Sequence, residues 1–574
     1  MKNKAIKLAI ASTFMIPTVA VSTTNQADAA TYNQVSDAVQ KAISTSQVLR
    51  RACSIEWTGD GKTRPYKEYN AAKTAYNEAI KLVNQLRSDQ KQVFLAKLDD
   101  PQLQIKRAAY YIDAITAGKK IEEKKLFLES QLKEGVLSDK TVTAYHELSY
   151  EIKKQTKLLD RVYGVTTREA IRYSFKETAE KLRDDLSYPM TVRMALSEIN
   201  RLPSGETSKL LSQGKKALMF LEVIPQKEYY DQLRLKWDKL QSKIPEDVRD
   251  NEFDRLLEVN NSLRELRQLV KPGVSDSKVP SLVDTISSSI TQVSNSLYQE
   301  KVETRLDSIL SQLQVPISEI KGMLTQKAVE AGIPPELVKS IVITENGSFQ
   351  QFDSKGEVFK SPDNGYGIMQ VTPLDEHDTR YNWDQVKYDL EYNIEIGIKI
   401  LQEKWSYSGT RIPVINNGEK EILENWYFAV MAYNGLSKVN DPNHSDRTYQ
   451  SKVYNNMAQY AQVSPEILNK DNLKISYSPT TGQAIFSEKM NYATKEMTKS
   501  TQLYSKGDTV ILPSKARLRD KPSTTGGPVD IAAGTKVDIL SGPIEDENKY
   551  NLFVWYKVKN LSTGQEGYIA SVSL

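Results

Sequence analysis

The run Ile333-Pro334-Pro335-Glu336-Leu337-Val338-Lys339-Ser340-Ile341-Val342-Ile343-Thr344-Glu345-Asn346-Gly347 is the most informative part of this 574-residue chain. Val338, Ile341 and Val342 lie at helical spacing, and position 345 is the next member of the same i, i+3, i+4, i+7 series. A carboxyl group on that face is turned inward, where burial disfavours its charged form and raises its pKa. An acid kept protonated near neutrality is what the leaving oxygen of a glycosidic bond needs. A buried glutamate also serves as the ion-pair partner of an arginine or lysine, so the residues that accompany Glu345 matter.

Twenty residues on stands Gly365-Tyr366-Gly367-Ile368-Met369-Gln370-Val371, and later Ala432-Tyr433-Asn434-Gly435. Glycines on either side of an aromatic let the backbone approach a bulky ligand. Gln370 and Asn434 each offer a donor and an acceptor for an acetamido sugar. Tyr433 offers a ring face and a hydroxyl. In this order the segments resemble the catalytic domain of soluble lytic transglycosylases and, more distantly, goose-type lysozymes, over about 317–468. The resemblance implies a lysozyme-like, mainly α domain in which Glu345 is the catalytic acid. It also implies that Gly365, Tyr366, Gly367, Met369, Gln370, Tyr433 and Asn434 hold the substrate. Asn393, Gly397, Tyr449 and Val453 are weaker family-like positions. Asn346 stands where relatives carry serine, Phe349 lies one place later than their aromatic, and Leu436 replaces a second glycine. Thr372 stands where the goose-type pattern has an aspartate.

Composition narrows the remainder. The segment 1–29 reads as a signal peptide, with Lys2, Lys4 and Lys7, an apolar stretch from Leu8 to Val21, and Ala27-Asp28-Ala29 as cleavage site. It is too short for a stable membrane span, and no later run approaches ~20 apolar residues. A formal charge of +4, with no basic stripe interleaved with aromatics, argues against nucleic acid. The single cysteine, Cys53, excludes an internal disulfide framework, and in a helical region it reads as packed and inert. Three histidines (His146, His377 and His444) without metal-ligand spacing leave no zinc chemistry to expect. No metal or other cofactor is implied.

Residues 30–270 are rich in helix formers, with Tyr69, Ala72, Tyr76, Ile80 and Val83 as one apolar stripe. Pro101, Gly135, Gly164 and Pro203-Ser204-Gly205 are the points expected to divide the helices, and an elongated all-α bundle is the economical architecture. The run from Tyr150 to Arg168, with Glu68 to Lys73 and Tyr111 to Ala114 upstream, resembles the N-terminal domain of SbsC-type surface-layer proteins. That resemblance implies binding of a secondary cell-wall polymer. Arg161, Arg168, Arg172 and Arg183 are candidates for anionic sugars, with Tyr163 and Tyr188 as stacking surfaces. Lys271 to Ser277 reads as a linker. Over 281–314, Val283, Ile286, Ile290, Val293 and Leu297, then Val302, Leu306, Ile309 and Leu313, predict a stripe along one long connector helix that packs within the chain. Residues 469–505 are polar and turn-rich, a second linker. From 506 to 574 the period changes to strands. There Ala516 to Ser523, Trp555-Tyr556 and Gly567-Tyr568-Ile569 resemble a bacterial Src-homology-3-like domain, a small β-barrel that implies a wall-peptide ligand.

Together these readings predict a secreted, wall-associated, multidomain enzyme of a single-membrane bacterium. Its partners are peptidoglycan glycan strands and a wall polymer, and its expected reaction is lytic transglycosylation at the N-acetylmuramic acid–N-acetylglucosamine bond. The alternatives are a hydrolytic muramidase, for which Asp363 is the candidate second carboxylate, and a non-catalytic wall-binding protein of a surface layer.

Overall fold

The computed structural model describes residues 31–574; the leader expected at 1–29 lies outside the described residues. The chain divides into two compact units at Arg193, with Asp231–Leu233 joining the first. The division falls inside the helical stretch read above as one domain.

The first unit is helical. Thr31 starts helix Tyr32–Ala52 with a capping box: its hydroxyl accepts from Gln34 N, and Gln34 Oε1 accepts from Thr31 N at 2.9 Å. Helix Tyr66–Val83 buries Ala72, Ala75, Ala79 and Val83. The buried stripe is thus turned from the expected one. Small alanines face the neighbouring helices, while Tyr69, Tyr76 and Ile80 flank them, half-buried. Helix Ser88–Leu132 runs straight through Pro101, correcting the expectation that this proline divides two helices. Phe94, Leu98, Ile105 and Ala108 are buried on both sides of it, and this packing outweighs the lost hydrogen bond and the ring clash. Breaks do fall at Gly135, between Ser88–Leu132 and Asp139–Leu159, and at Gly164, where a φ of 87° suits glycine.

The second unit begins at Met194 and holds helices Thr207–Leu221 and Asn251–Leu269, with helix Lys227–Leu240 apart from Asp231–Leu233. The expected single connector is two helices, Val279–Ile290 and Ser296–Leu310. Asn295 caps the second by accepting from Tyr298 N at 3.0 Å. The restart resets the helical phase, and Leu297, expected in the stripe, is 50 % exposed. The connector packs within the chain: Ser289 donates to Glu258 at 2.8 Å and Arg255 to the Gln292 carbonyl at 3.2 Å. Nor is Lys271 to Ser277 a free linker. Its backbone pairs with residues 388–390, Ser275 N to Tyr388 O at 2.8 Å and Leu390 N to Gly273 O at 2.9 Å.

Helices Ile317–Glu330, Pro335–Glu345, Leu390–Ser406, Tyr427–Asn434 and Tyr449–Asn456 then surround one core that includes Leu337, Val338, Ile341, Val342, Met369, Leu401 and Val453. Leu473, Ala484, Phe486 and Tyr492 belong to that core too. Strand Asn491–Tyr492 pairs in parallel with Val414–Ile415, and Ser476–Tyr477 forms a hairpin with Ala484–Ile485. Residues 469–505 are therefore a packed covering of the α domain rather than a linker. Their few apolar side chains, scattered among polar ones, give no periodic signal.

The C-terminal six-stranded sheet has the order Thr509–Ile511, Lys536–Glu545, Val554–Asn560, Glu566–Ala570, Ala516–Arg519, Pro528–Ile531. It is not the closed barrel expected. The first and last strands do not pair; one has three residues, and the other begins with Pro528, which has no N–H to give. Irregularities in register between Ile539 and Ile544 curl the sheet. Val510 and Ile531, from the two free edges, consequently reach the same small core as Val537, Val554 and Ile569.

Buried ionic contacts fix this sheet to the α domain. Lys339 and Lys321 have no exposed surface. Lys339 meets Glu545 at 3.1 and 3.2 Å, and Thr325 donates to the same carboxylate. Lys321 Nζ donates to the carbonyls of Asn548 at 3.0 Å, Asn551 at 2.9 Å and Asp546. Trp555 is 1 % exposed and donates to Asp546 at 2.8 Å. It is a core residue.

Candidate active site

Helix Pro335–Glu345 carries two inward carboxyl groups, and their surroundings separate their roles. Glu336 is fully buried and both its oxygens are occupied, by Ser500 Oγ at 2.9 Å and Thr501 N at 3.0 Å. It is a structural glutamate. Glu345 is the last residue of the helix and half-buried. Tyr449 donates to its Oε1 at 2.6 Å, and its Oε2 has no hydrogen bond among the described residues. Burial pushes the Glu345 carboxyl up to about 7; the nearby Asp363 adds to this, while the Tyr449 hydrogen bond and Lys452 oppose it. One oxygen is held and the other is open, on an acid that still carries a proton near neutrality.

The chain turns sharply after Glu345. Asn346, at the position of the relatives' serine, accepts from Ser348 N at 3.1 Å and donates to the Gln350 carbonyl at 2.9 Å. Phe349 takes a left-handed φ of 57° and is 1 % exposed. That conformation lets an aromatic one place late in sequence still enter the core.

The Gly365–Val371 segment is a tight loop held from below. Gln351 Oε1 accepts from Ile368 N and Asn393 Oδ1 from Met369 N, both at 2.9 Å. Asn393 also donates to the Tyr366 carbonyl at 2.9 Å. Gly367 has φ 75°, and a Cβ there would lie 2.3 Å from Gln351 Oε1. A Cβ on Gly397 would meet Met369 at 2.5 Å. Asn393 and Gly397 therefore shape the loop rather than face a ligand. Gln370 sits at φ 48°; its amide donates to Gly367 O at 2.6 Å, and its buried Oε1 has no partner among the described residues. Tyr433 donates to the Met369 carbonyl at 2.9 Å and stacks on Tyr449 at 6.4 Å and 18°. Asn434 is exposed and accepts from Asn440 at 3.0 Å. The three motifs are thus joined through Tyr449 and Tyr433. Asp363 is exposed and accepts from Ser361. Gln351 and Asn440 were not singled out in the sequence; polar residues among many in loops, they carry no periodic signal.

Tyr449 gives a test. Its hydrogen bond favours the ionised carboxylate, so Tyr449→Phe should raise the Glu345 pKa further. The descending alkaline limb of the kcat/KM profile, expected near pH 7, should move to higher pH. A limb that stays in place or moves down would contradict this geometry.

Residues 322–455 match the family model "Transglycosylase SLT domain". The chain carries an SLT domain. Residues 50–180 match a second model, "SbsC C-terminal domain". An S-layer protein of Geobacillus stearothermophilus is 35% identical over 210 residues, 34% of this chain but only 17% of that protein's length. A solved structure of surface layer protein SbsC, domains 1–6, is 26% identical and covers 37% of this chain and 31% of its own, with a TM-score of 0.31. The N-terminal part of the bacterial S-layer protein SbsC is 28% identical over 37% of this chain and 54% of its own, with a TM-score of 0.32. Glu345 and all three motifs lie inside the SLT match. Among the described residues, no helix is long and apolar enough to cross a membrane, and no group of three or more His, Cys, Asp or Glu could hold a metal ion.

In the SbsC-like unit the arginines differ. Arg172 pairs with Glu169 at 3.2 Å, Arg183 with Asp184 at 2.8 Å, and Arg168 donates to the Val162 carbonyl at 3.3 Å. Tyr188 is half-buried. Arg161 instead lies over Tyr110 at 4.0 Å, and Arg107 lies over Tyr163, which is 59 % exposed, at 3.3 Å. Trp57, Arg107 and Tyr163 line a cavity of about 100 Å³ that also meets Cys53. Burial pushes the Cys53 thiol up to about 12, which leaves it unreactive.

Proposed function

We propose that this protein is a secreted, wall-tethered lytic transglycosylase that cleaves peptidoglycan between N-acetylmuramic acid and N-acetylglucosamine. The observation that carries this reading is Glu345: protonated near neutrality, held on one oxygen by Tyr449, free on the other. Glu345 gives its proton to the glycosidic oxygen as the bond to the muramoyl C1 breaks. The resulting carboxylate then takes the proton of the same sugar's 6-hydroxyl as that oxygen closes on C1. Met369, Gln370, Tyr433 and Asn434 would position the sugar.

Hydrolysis needs a second carboxylate, as a nucleophile or about 6.5–9.5 Å away to activate water. Asp363 is the one whose charge reaches Glu345, which keeps a muramidase as the second reading. Asp363 is exposed on a loop, whereas the substrate's own 6-hydroxyl is held at high effective molarity. Digested wall should therefore yield fragments ending in 1,6-anhydro-muramic acid, one water lighter by mass spectrometry than hydrolytic fragments. Reducing-end fragments that disappear with Asp363→Asn would establish the muramidase instead.

The SbsC-like unit would anchor the enzyme, with Arg161, Tyr163, Arg107 and Trp57 the best-placed contacts for an anionic polymer. The C-terminal sheet, like Src-homology-3-like domains, would meet wall peptide. Linked binding sites raise local concentration. A protein lacking residues 31–193 should cleave isolated glycan but sediment less with polymer-bearing wall. Equal sedimentation of the two forms would remove the anchoring role.

A further inference from the structure

The helices that precede the SLT match hold a charged cluster that the proposed reaction does not use, all of it within the second unit. At its centre Glu222 is 1 % exposed. Its Oε1 accepts from the Tyr230 hydroxyl at 2.9 Å and from Arg234 at 3.1 Å. Arg267 stands 3.4 Å from Oε2, donates to the Glu222 carbonyl at 2.8 Å, and lies over the Tyr230 ring at 3.9 Å. Asp238 meets Arg234 at 3.1 Å and Arg264 at 3.4 Å. Each carboxylate is thus shared by two guanidinium groups.

Helix Ser296–Leu310 brings two more groups to the cluster. Tyr298 and Arg305 lie on one face of it, two turns apart. The charge of Glu222 reaches both, and Arg267 acts on Arg305 as a like charge. Arg305 is half-buried, makes no hydrogen bond or ion pair among the described residues, and has its Nε buried. Tyr298 is 2 % exposed, and its hydroxyl likewise has no partner among the described residues. A buried donor without a partner costs free energy, and a desolvated charge without one costs more. Four guanidinium groups against two carboxylates leave two positive charges uncompensated. The Arg267 and Arg264 side chains are 21 % and 41 % exposed, which opens the cluster to solvent on their side.

We propose that Arg305, Arg267 and the Tyr298 hydroxyl form a binding site for a dianionic phosphate group, carried by inorganic phosphate or by a phosphate monoester. The match is one of charge and of donors. Two uncompensated guanidinium charges equal the charge of a phosphate dianion, whereas a carboxylate would leave one of them unpaired. Guanidinium groups bind phosphate oxygens through charge-assisted, often paired N–H bonds. Tyr298 supplies a further donor, from the same helix face as Arg305. The inference does not depend on the reading of Glu345.

The test is calorimetric titration of the whole protein with inorganic phosphate above neutral pH, with ionic strength held constant by chloride. One saturable site per chain is expected, and acetate should not compete for it. Arg305→Met should weaken binding about ten- to hundredfold and Tyr298→Phe about tenfold, the usual worth of hydrogen bonds to a charged group. In chloride alone Arg305→Met should melt no lower than the unaltered protein, because it removes an unpaired, partly buried charge. Titration with glycerol phosphate separates the two sources: binding as tight as that of phosphate assigns the site to monoesters, and exclusion assigns it to the free anion. Absence of saturable phosphate binding, binding unchanged in both variants, or equal competition by acetate would overturn the inference. A lower melting point of Arg305→Met in chloride alone would overturn it as well, since the guanidinium would then already be satisfied within the helices.

Discussion

Glu345→Gln is expected to lower release of soluble fragments from purified wall by roughly 10²- to 10⁴-fold, the usual contribution of a positioned acid–base group. Glutamine keeps the size of the side chain and an acceptor for Tyr449, so the loss would be one of proton transfer and not of shape. The same substitution should stabilise the fold. A carboxyl whose pKa rises to about 7 on folding binds its proton more tightly in the native state than in the unfolded one. Ionising it therefore costs stability as pH climbs from about 4.5 to 7, and the cost stays in full above that. By the linkage relation it amounts to at most about 3 kcal/mol. Glu345→Gln should thus melt higher than the unaltered protein above pH 7 and alike below pH 4. A variant that keeps a tenth of the turnover, or melts lower at pH 8, would show that Glu345 is not the buried proton donor described.

The second large effect is expected at Glu545. Removing it leaves Lys339 charged, fully buried and without its carboxylate. Breaking one side of a buried pair typically costs about 3–5 kcal/mol. Glu545→Ala should therefore lower the melting transition of the second unit, although it lies outside the SLT match. Replacing both partners removes the uncompensated charge, so Lys339→Met in the Glu545→Ala background should recover much of the loss. Additive losses in the double variant would mean that the pair does not couple the sheet to the α domain. This coupling changes the picture drawn from the sequence, in which a linker separated the two.

How much could be read in advance varies with the kind of signal. Val338, Ile341 and Val342 set a helical period, and Glu345 falls where that period places it. The G-Y-G and A-Y-N-G segments are local in sequence and local in space. Leu473, Ala484, Phe486 and Tyr492 were missed because each fills a separate gap in a core built elsewhere. No period of 2 or 3.6 marks such a covering strand. The two linkers failed for a related reason: polar, glycine-containing sequence is equally compatible with free chain and with backbone paired to a neighbour. Pro101 misled because local propensity was outweighed by tertiary packing. The barrel stayed open because closure depends on whether two short edge strands meet, which neither strand's own sequence records. Tyr449 stood out only through its resemblance; its bond to Glu345, 104 positions away in sequence, is a property of the fold.

The most direct measurement is release of glycan from purified peptidoglycan by the whole protein at pH 5–6, where Glu345 is protonated. The account predicts loss of turbidity with soluble anhydro-muramoyl fragments, abolished by Glu345→Gln. Sedimentation of the protein with the wall, without any release of fragments, would contradict it and make this α domain a binding module.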